Sequence, residues 1–167
     1  DTLFEAGEEL GLQPFGIRAM DSMRFEKSYR MVGTELSIEY SAFESAMDRF
    51  VKPDKGDFLG RDALLAWRER GQANLLVTLE VDEVEDADAL GNNALMLDGE
   101  IGRATGGGYG FRAGQSLALG MVRPELAAHG TRLEIEILGS RLPATVVPDS
   151  PFDPKNERLR DVNGAND

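Results

Sequence analysis

With 167 residues, 41% of them hydrophobic, the chain has enough apolar content for one or two small packed domains, and its lack of cysteine excludes disulfides, thiolate nucleophiles and cysteine–zinc sites. Thirty acidic residues against eighteen basic ones leave a net charge of −12, a surface that repels nucleic acid and anionic lipid. No apolar run approaches the roughly 18 residues of a membrane span. The acidic start DTLFEAGEEL does not read as a signal peptide, and the expected setting is a reducing cytoplasm.

Up to about Gly71 the pattern is helical; beyond it the period changes to that of strands and turns. Thr2 is placed to cap a short helix over Leu3–Leu10, which Gly11 ends in the left-handed conformation. Pro14 suits the first turn of a second helix, on which Ile17, Met20 and Met23 share one face. FVKPDKGDF reads as a short strand followed by a turn through Pro53, Asp54 and Gly56. A third helix follows Asp57, with Leu64 and Trp67 as a buried pair, Arg68 and Arg70 near its C-terminal end, and Gly71 as its stop.

Leu75, Val77, Leu79 and Val81 then alternate along one strand, and Leu133, Ile135 and Ile137 along another. The segments 94–97, 100–105, 116–122 and 144–147 bring the set to about six, separated by turn signals at Gly91-Asn92-Asn93, Asp98-Gly99 and Gly139-Ser140. Closely spaced strands of this kind argue a small antiparallel barrel or sandwich. The fold class expected is α+β: a helix-rich segment over 1–71, a C-terminal antiparallel β-barrel over 72–160, and a frayed, disordered tail over 161–167.

Several stretches invite a chemical reading. Glu80 to Asp88 carries six carboxylates in nine residues, a pattern of solvated loops; a calcium loop starting at Asp86 fails because Leu90 and Leu97 stand where oxygen ligands are required. His129 is the sole histidine, so neither a zinc site nor a Ser-His-Asp triad is supported, and no metal ligands are assigned. GGGYG (Gly106 to Gly110) precedes a strand-like segment rather than a helix, which points to a turn or bulge, or to close approach of a ligand or partner domain, and not to a phosphate loop. Arg24, Lys27 and Arg30 lie three apart and share one side if the second helix continues. They read either as surface charge paired with Asp21 and Glu26 or as an anion site in which Tyr29 stacks on a flat ring.

GLQPFG (Gly11 to Gly16), DSMRFE (Asp21 to Glu26), GTEL (Gly33 to Leu36), FVKPDKGDFLGRDAL, GGGYGFRAGQSLALGMV and HGTRLEIEILG form an ordered series. That series resembles the folate-dependent aminomethyltransferase family, the glycine-cleavage T-protein and its relatives. The wording is similar to the C-terminal tetrahydrofolate-binding module of the dimethylglycine and sarcosine dehydrogenases. The resemblance implies transfer of a C1 unit from a small amine to tetrahydrofolate, forming 5,10-methylenetetrahydrofolate. It implies folate contacts from Arg24, in the Asp-Ser-hydrophobic-Arg motif, with Glu26 and Tyr29 as neighbours, and a catalytic aspartate upstream, so that no residue of this chain is assigned as catalytic. The implied partners are the N-terminal part of the module and a flavin dehydrogenase domain. Two alternatives stand beside it: a demethylase using another methyl donor on the same scaffold, and a non-catalytic docking barrel.

Overall fold

The computed structural model describes residues 1–85 and 87–160; the Asp86 calcium loop and the tail over 161–167 lie at or beyond those limits. Three helices precede the strands: α1 (Thr2–Gly7), α2 (Ile17–Glu26) and α3 (Arg61–Arg70). Six strands follow, β1 (Leu75–Val81), β2 (Ala94–Met96), β3 (Glu100–Gly110), β4 (Gln115–Val122), β5 (Arg132–Ile137) and β6 (Ser140–Val147), and a short helix α4 (Glu157–Arg160) closes the described chain. The strands form a closed barrel in the order β1-β4-β3-β2-β5-β6, every pair antiparallel. Among the described residues closure gives every strand a neighbour on both sides. The α+β reading and the barrel are both borne out.

Local signals explain most boundaries. β5 alternates buried and exposed side chains along its whole length. Asp98 and Gly99 both adopt positive φ in the β2–β3 turn, as two-residue hairpins demand. Leu138 and Gly139 do the same between β5 and β6, one residue earlier than expected. Inside the barrel Val77, Leu79, Leu95, Ile101, Ile135 and Val146 form the main core.

The helical half departs from expectation in several places. α1 starts after Asp1 rather than Thr2 and passes into a 3₁₀ turn at Glu8, with Gly11 left-handed at its end as expected. α2 starts after Gly16 and stops at Glu26, so Arg30 is not on the helix and the three-apart cluster does not share one side. The stretch expected as a strand holds 3₁₀ turns at Asp48–Phe50 and Pro53–Lys55 instead. Leu64 and Trp67 are half-buried, not buried. The face of Ile17, Met20 and Met23 is exposed; what α2 buries is Phe25 and Glu26.

The Gly106–Gly110 cluster lies inside β3, and the register shifts between Ala104 and Gly106. Its purpose is close approach, by α2 of the same chain. A Cβ on Gly106 would stand 3.2 Å from the Phe25 ring, one on Gly108 3.3 Å from it, and one on Gly110 2.8 Å from Glu26. Phe25 therefore seats on a glycine shelf with Leu117, Leu119 and Met121 as a second core outside the barrel. Burying one such phenylalanine contributes about 1.5–3 kcal/mol. This second core is why β4 is buried on both faces.

Candidate functional site

The end of α2 is built by a left-handed serine. Ser28 has φ 51°, its amide donates to the Phe25 carbonyl, and the Tyr29 amide donates to the Arg24 carbonyl at 2.8 Å. That pair of bonds is a Schellman motif with serine where glycine is usual. Ser28 is fully buried, shares a hydrogen bond with the Thr78 hydroxyl at 2.7 Å and accepts one from the Ser150 amide at 2.9 Å. These bonds turn the chain sharply, so that Tyr29 leaves the helix and faces solvent, half exposed.

Tyr29 lines a cavity of about 820 Å³ between the end of α2, the Leu36–Phe50 segment and the Asp149–Asn156 segment. Lys27, Arg30 and Arg49 line it too, against the carboxylates Asp48 and Asp149, so cations outnumber acids here in a protein of net charge −12. Two of the cations are committed. Lys27 Nζ donates to the Phe152 and Asp153 carbonyls at 3.1 and 2.6 Å. Arg30 donates to the Ser45 and Ser28 carbonyls and to Asp149, the last at 2.7 Å. Asp149 also accepts from Thr78 at 3.1 Å, which ties the cavity wall to β1. Arg49 is exposed, with its guanidinium 4.7 Å above the Phe50 ring. An apolar depression of about 330 Å³ adjoins it, sharing Leu36, Met47 and Phe50. Such a lining has aromatic and apolar walls with forked cations at one side, a binding surface for a flat ring bearing an anionic tail.

The three residues expected to bind together are placed differently. Only Tyr29 faces the cavity. Arg24, 11% exposed at its side chain, donates from Nε to Asp21 at 2.9 Å and from Nη1 to Glu35 at 3.3 Å and to the Tyr29 carbonyl at 3.2 Å. It also stacks 4.1 Å over the Phe25 ring. Glu26 is buried and accepts from the Arg112 and Ala113 amides in the β3–β4 turn. Arg49, Phe50 and Asp149 complete the cavity and carried no sequence signal beyond residue type.

Two further buried carboxylates hold the helical half to the barrel. Burial raises the proton affinity of Glu35, but hydrogen bonds from Thr105, the Met31 amide and Thr34, together with the Arg24 charge, outweigh it and hold the carboxyl below its ordinary range. Glu44 is likewise pushed up by burial and pulled further down by the Ser41 amide and hydroxyl and by the Asn74 and Ala73 amides. Among the described residues no group of three or more histidine or acidic side chains is arranged to hold a metal, His129 is exposed, and no helix is long and apolar enough to cross a membrane.

Two family models match this chain. The GCVT N-terminal domain matches residues 1–55, and the glycine cleavage T-protein C-terminal barrel domain matches residues 75–153. The chain belongs to the glycine cleavage T-protein family. Among curated members, human mitochondrial dimethylglycine dehydrogenase is 32% identical over 168 aligned residues, covering 98% of this chain and 19% of the human protein. The aminomethyltransferase of Desulfitobacterium hafniense is 34% identical, covering 89% of this chain and 40% of its own length. The crystal structure of glycine cleavage system aminomethyltransferase T from Bartonella henselae superposes with a TM-score of 0.75 at 23% identity, covering 82% of this chain and 39% of that one, a likeness of fold. The chain thus spans two fifths or less of these T-protein-family relatives.

Proposed function

We propose that this chain is part of a tetrahydrofolate-dependent C1-transfer module, and that the cavity beside Tyr29 receives the folate. The observation that carries this reading is the lining: Tyr29 and Phe50 as aromatic walls, Leu36 and Met47 as apolar ones, and Arg49 as a guanidinium without a carboxylate in the described ion pairs. Family membership supports it independently. Bound tetrahydrofolate accepts a one-carbon unit from a small amine, giving 5,10-methylenetetrahydrofolate.

The chain's own residues do the binding. Tyr29 offers a ring face for stacking and Arg49 a planar fork for a carboxylate. Arg24 acts through Tyr29, whose backbone it grips at both ends, and Glu26 acts through the β3–β4 turn that supports α2. On this reading residues 1–71 belong to the ligand-binding core, 72–160 brace it, and proton transfer is the task of a carboxylate elsewhere in the full module. The test is calorimetric titration with tetrahydrofolate of this chain and of a longer polypeptide from the same reading frame. Binding that Arg49→Ala weakens supports the assignment; no binding by either polypeptide overturns it.

A further inference from the structure

Pro148 to Asn156 reads PDSPFDPKN, three successive triplets that each begin with proline. The third residue of each triplet, Ser150, Asp153 and Asn156, is left-handed, with φ of 58°, 45° and 55°. Proline fixes φ, and left-handed residues other than glycine are uncommon, so the segment is a stiff strap with a defined shape. It leaves the end of β6, crosses the end of α2 and walls one side of the cavity beside Tyr29. Among the described residues of the strap none is buried, so polar bonds hold it in place.

Those bonds fall into two groups. At the root, Asp149 accepts from Thr78 and pairs with Arg30, and the Ser150 amide donates to the Ser28 hydroxyl. Further along, the Phe152 amide donates to the Glu26 carbonyl at 3.1 Å, and the Lys27 ammonium donates to the Phe152 and Asp153 carbonyls at 3.1 and 2.6 Å. Lys27 has no carboxylate in the described ion pairs; its charge goes to the strap. A unit without buried side chains, held by a few polar bonds, opens at lower free energy than a barrel core. Pro154 and Asn156, beyond the root, line the cavity directly.

We propose that residues 151–156 are a hinged wall of the cavity, latched shut by Lys27, and that they swing about Ser150 to admit a ligand while the barrel stays folded. The latch suits that task. An ammonium on neutral carbonyls makes charge-assisted bonds, yet releasing them strands no buried counter-ion. Lys27, singled out in the sequence as part of an anion site, thereby acts as a positioning residue. The inference concerns the wall and holds whichever ligand the cavity takes, so its failure and that of the folate reading are separate.

Amide exchange and thiol labelling of the chain, both without ligand, test it. Lys27→Met keeps the stem and removes the donors. In that variant the Phe152 amide is expected to exchange roughly tenfold faster or more, the loss of a charged hydrogen bond, while the amides of β1 keep the parent rate. Because the chain has no cysteine, Met47→Cys places a single thiol in the cavity lining, on the Leu36–Phe50 side. Its reaction with a bulky maleimide is expected to quicken by a similar factor when Lys27→Met is added. Lys155→Met removes the same charge from an exposed position on the strap and is expected to change neither rate. A Phe152 amide that exchanges as slowly as β1 in the parent overturns the proposal. So does either rate left unchanged by Lys27→Met, or raised equally by Lys155→Met.

Discussion

Glu35 and Thr105 are joined by a hydrogen bond across seventy positions of sequence, from the loop after α2 to the bulged point of β3. The Glu35 side chain is fully buried, and its remaining capacity is taken up by Thr34, the Met31 amide and Arg24. Glu35→Gln replaces an acceptor with a donor and strips Arg24 of a buried counter-charge. It is expected to destabilise the chain by about 3–5 kcal/mol. Thr105→Val removes one donor and is expected to cost about 1–3 kcal/mol. Urea unfolding of both variants checks the order; equal stability of Glu35→Gln and the parent removes Glu35 as a clamp.

Acid should loosen the same clamps. Glu35 and Glu44 both have carboxyls held below the ordinary value of 4.5 in the folded state. A depressed folded value means the unfolded chain binds protons first as pH falls. Their contribution is therefore complete above about pH 4.5 and is lost progressively as pH drops below it through the folded values. Melting temperature measured from pH 6 to pH 3 is expected to fall over that lower range. Glu44→Gln should flatten the slope while lowering the plateau. A parent whose melting is constant down to pH 3 contradicts this.

What could be read from the sequence, and what could not, follows from how local each cause is. β5 was legible because alternation is a property of neighbours, and Asp98-Gly99 because turn chemistry is written in two residues. The end of α2 was not, since Ser28 takes the left-handed role through its buried bonds to Thr78 and Ser150, fifty and more positions away. Glu26, Glu35 and Glu44 look like surface charge in a chain with thirty acids. They are buried because backbone amides from the β3–β4 turn and from Ala73 and Asn74, with the Thr105 hydroxyl, converge on them only after folding. The family series placed Arg24 in a ligand site, but its three partners within the chain emerge only from the geometry.

The glycines of β3 make a graded prediction. At Gly107 an added Cβ would stand 2.7 Å from the Leu117 carbonyl oxygen and 2.8 Å from Ala89, inside the barrel wall, where backbone cannot yield. At Gly106 it would meet the edge of the Phe25 ring at 3.2 Å, which a small shift of α2 relieves. Gly107→Ala is expected to cost about 1–3 kcal/mol or more, and Gly106→Ala less. Thermal melts of the two variants settle the order, and the reverse order would mean that α2, not the barrel, is the rigid partner.

Arg24 and Tyr29 separate binding from support. The Tyr29 amide donates to the Arg24 carbonyl and the Arg24 guanidinium to the Tyr29 carbonyl, so the arginine fixes where the tyrosine ring stands. Tyr29 is half exposed and its ring contributes little to packing. Under the folate proposal Tyr29→Ala should weaken tetrahydrofolate binding by about 0.5–1.5 kcal/mol, the value of one stacked ring, and leave melting unchanged. Arg24→Ala, which acts through the tyrosine, should weaken it by no more than Tyr29→Ala does and lower the melting temperature as well, because Asp21 and Glu35 lose their cation. Arg24→Lys keeps the charge and loses the fork, so it should recover stability better than affinity. Calorimetry paired with melting on the three variants reads both quantities. Unchanged affinity in Tyr29→Ala would take the tyrosine out of the site, and unchanged affinity in Arg24→Ala at a lowered melting temperature would leave the arginine a purely structural hub.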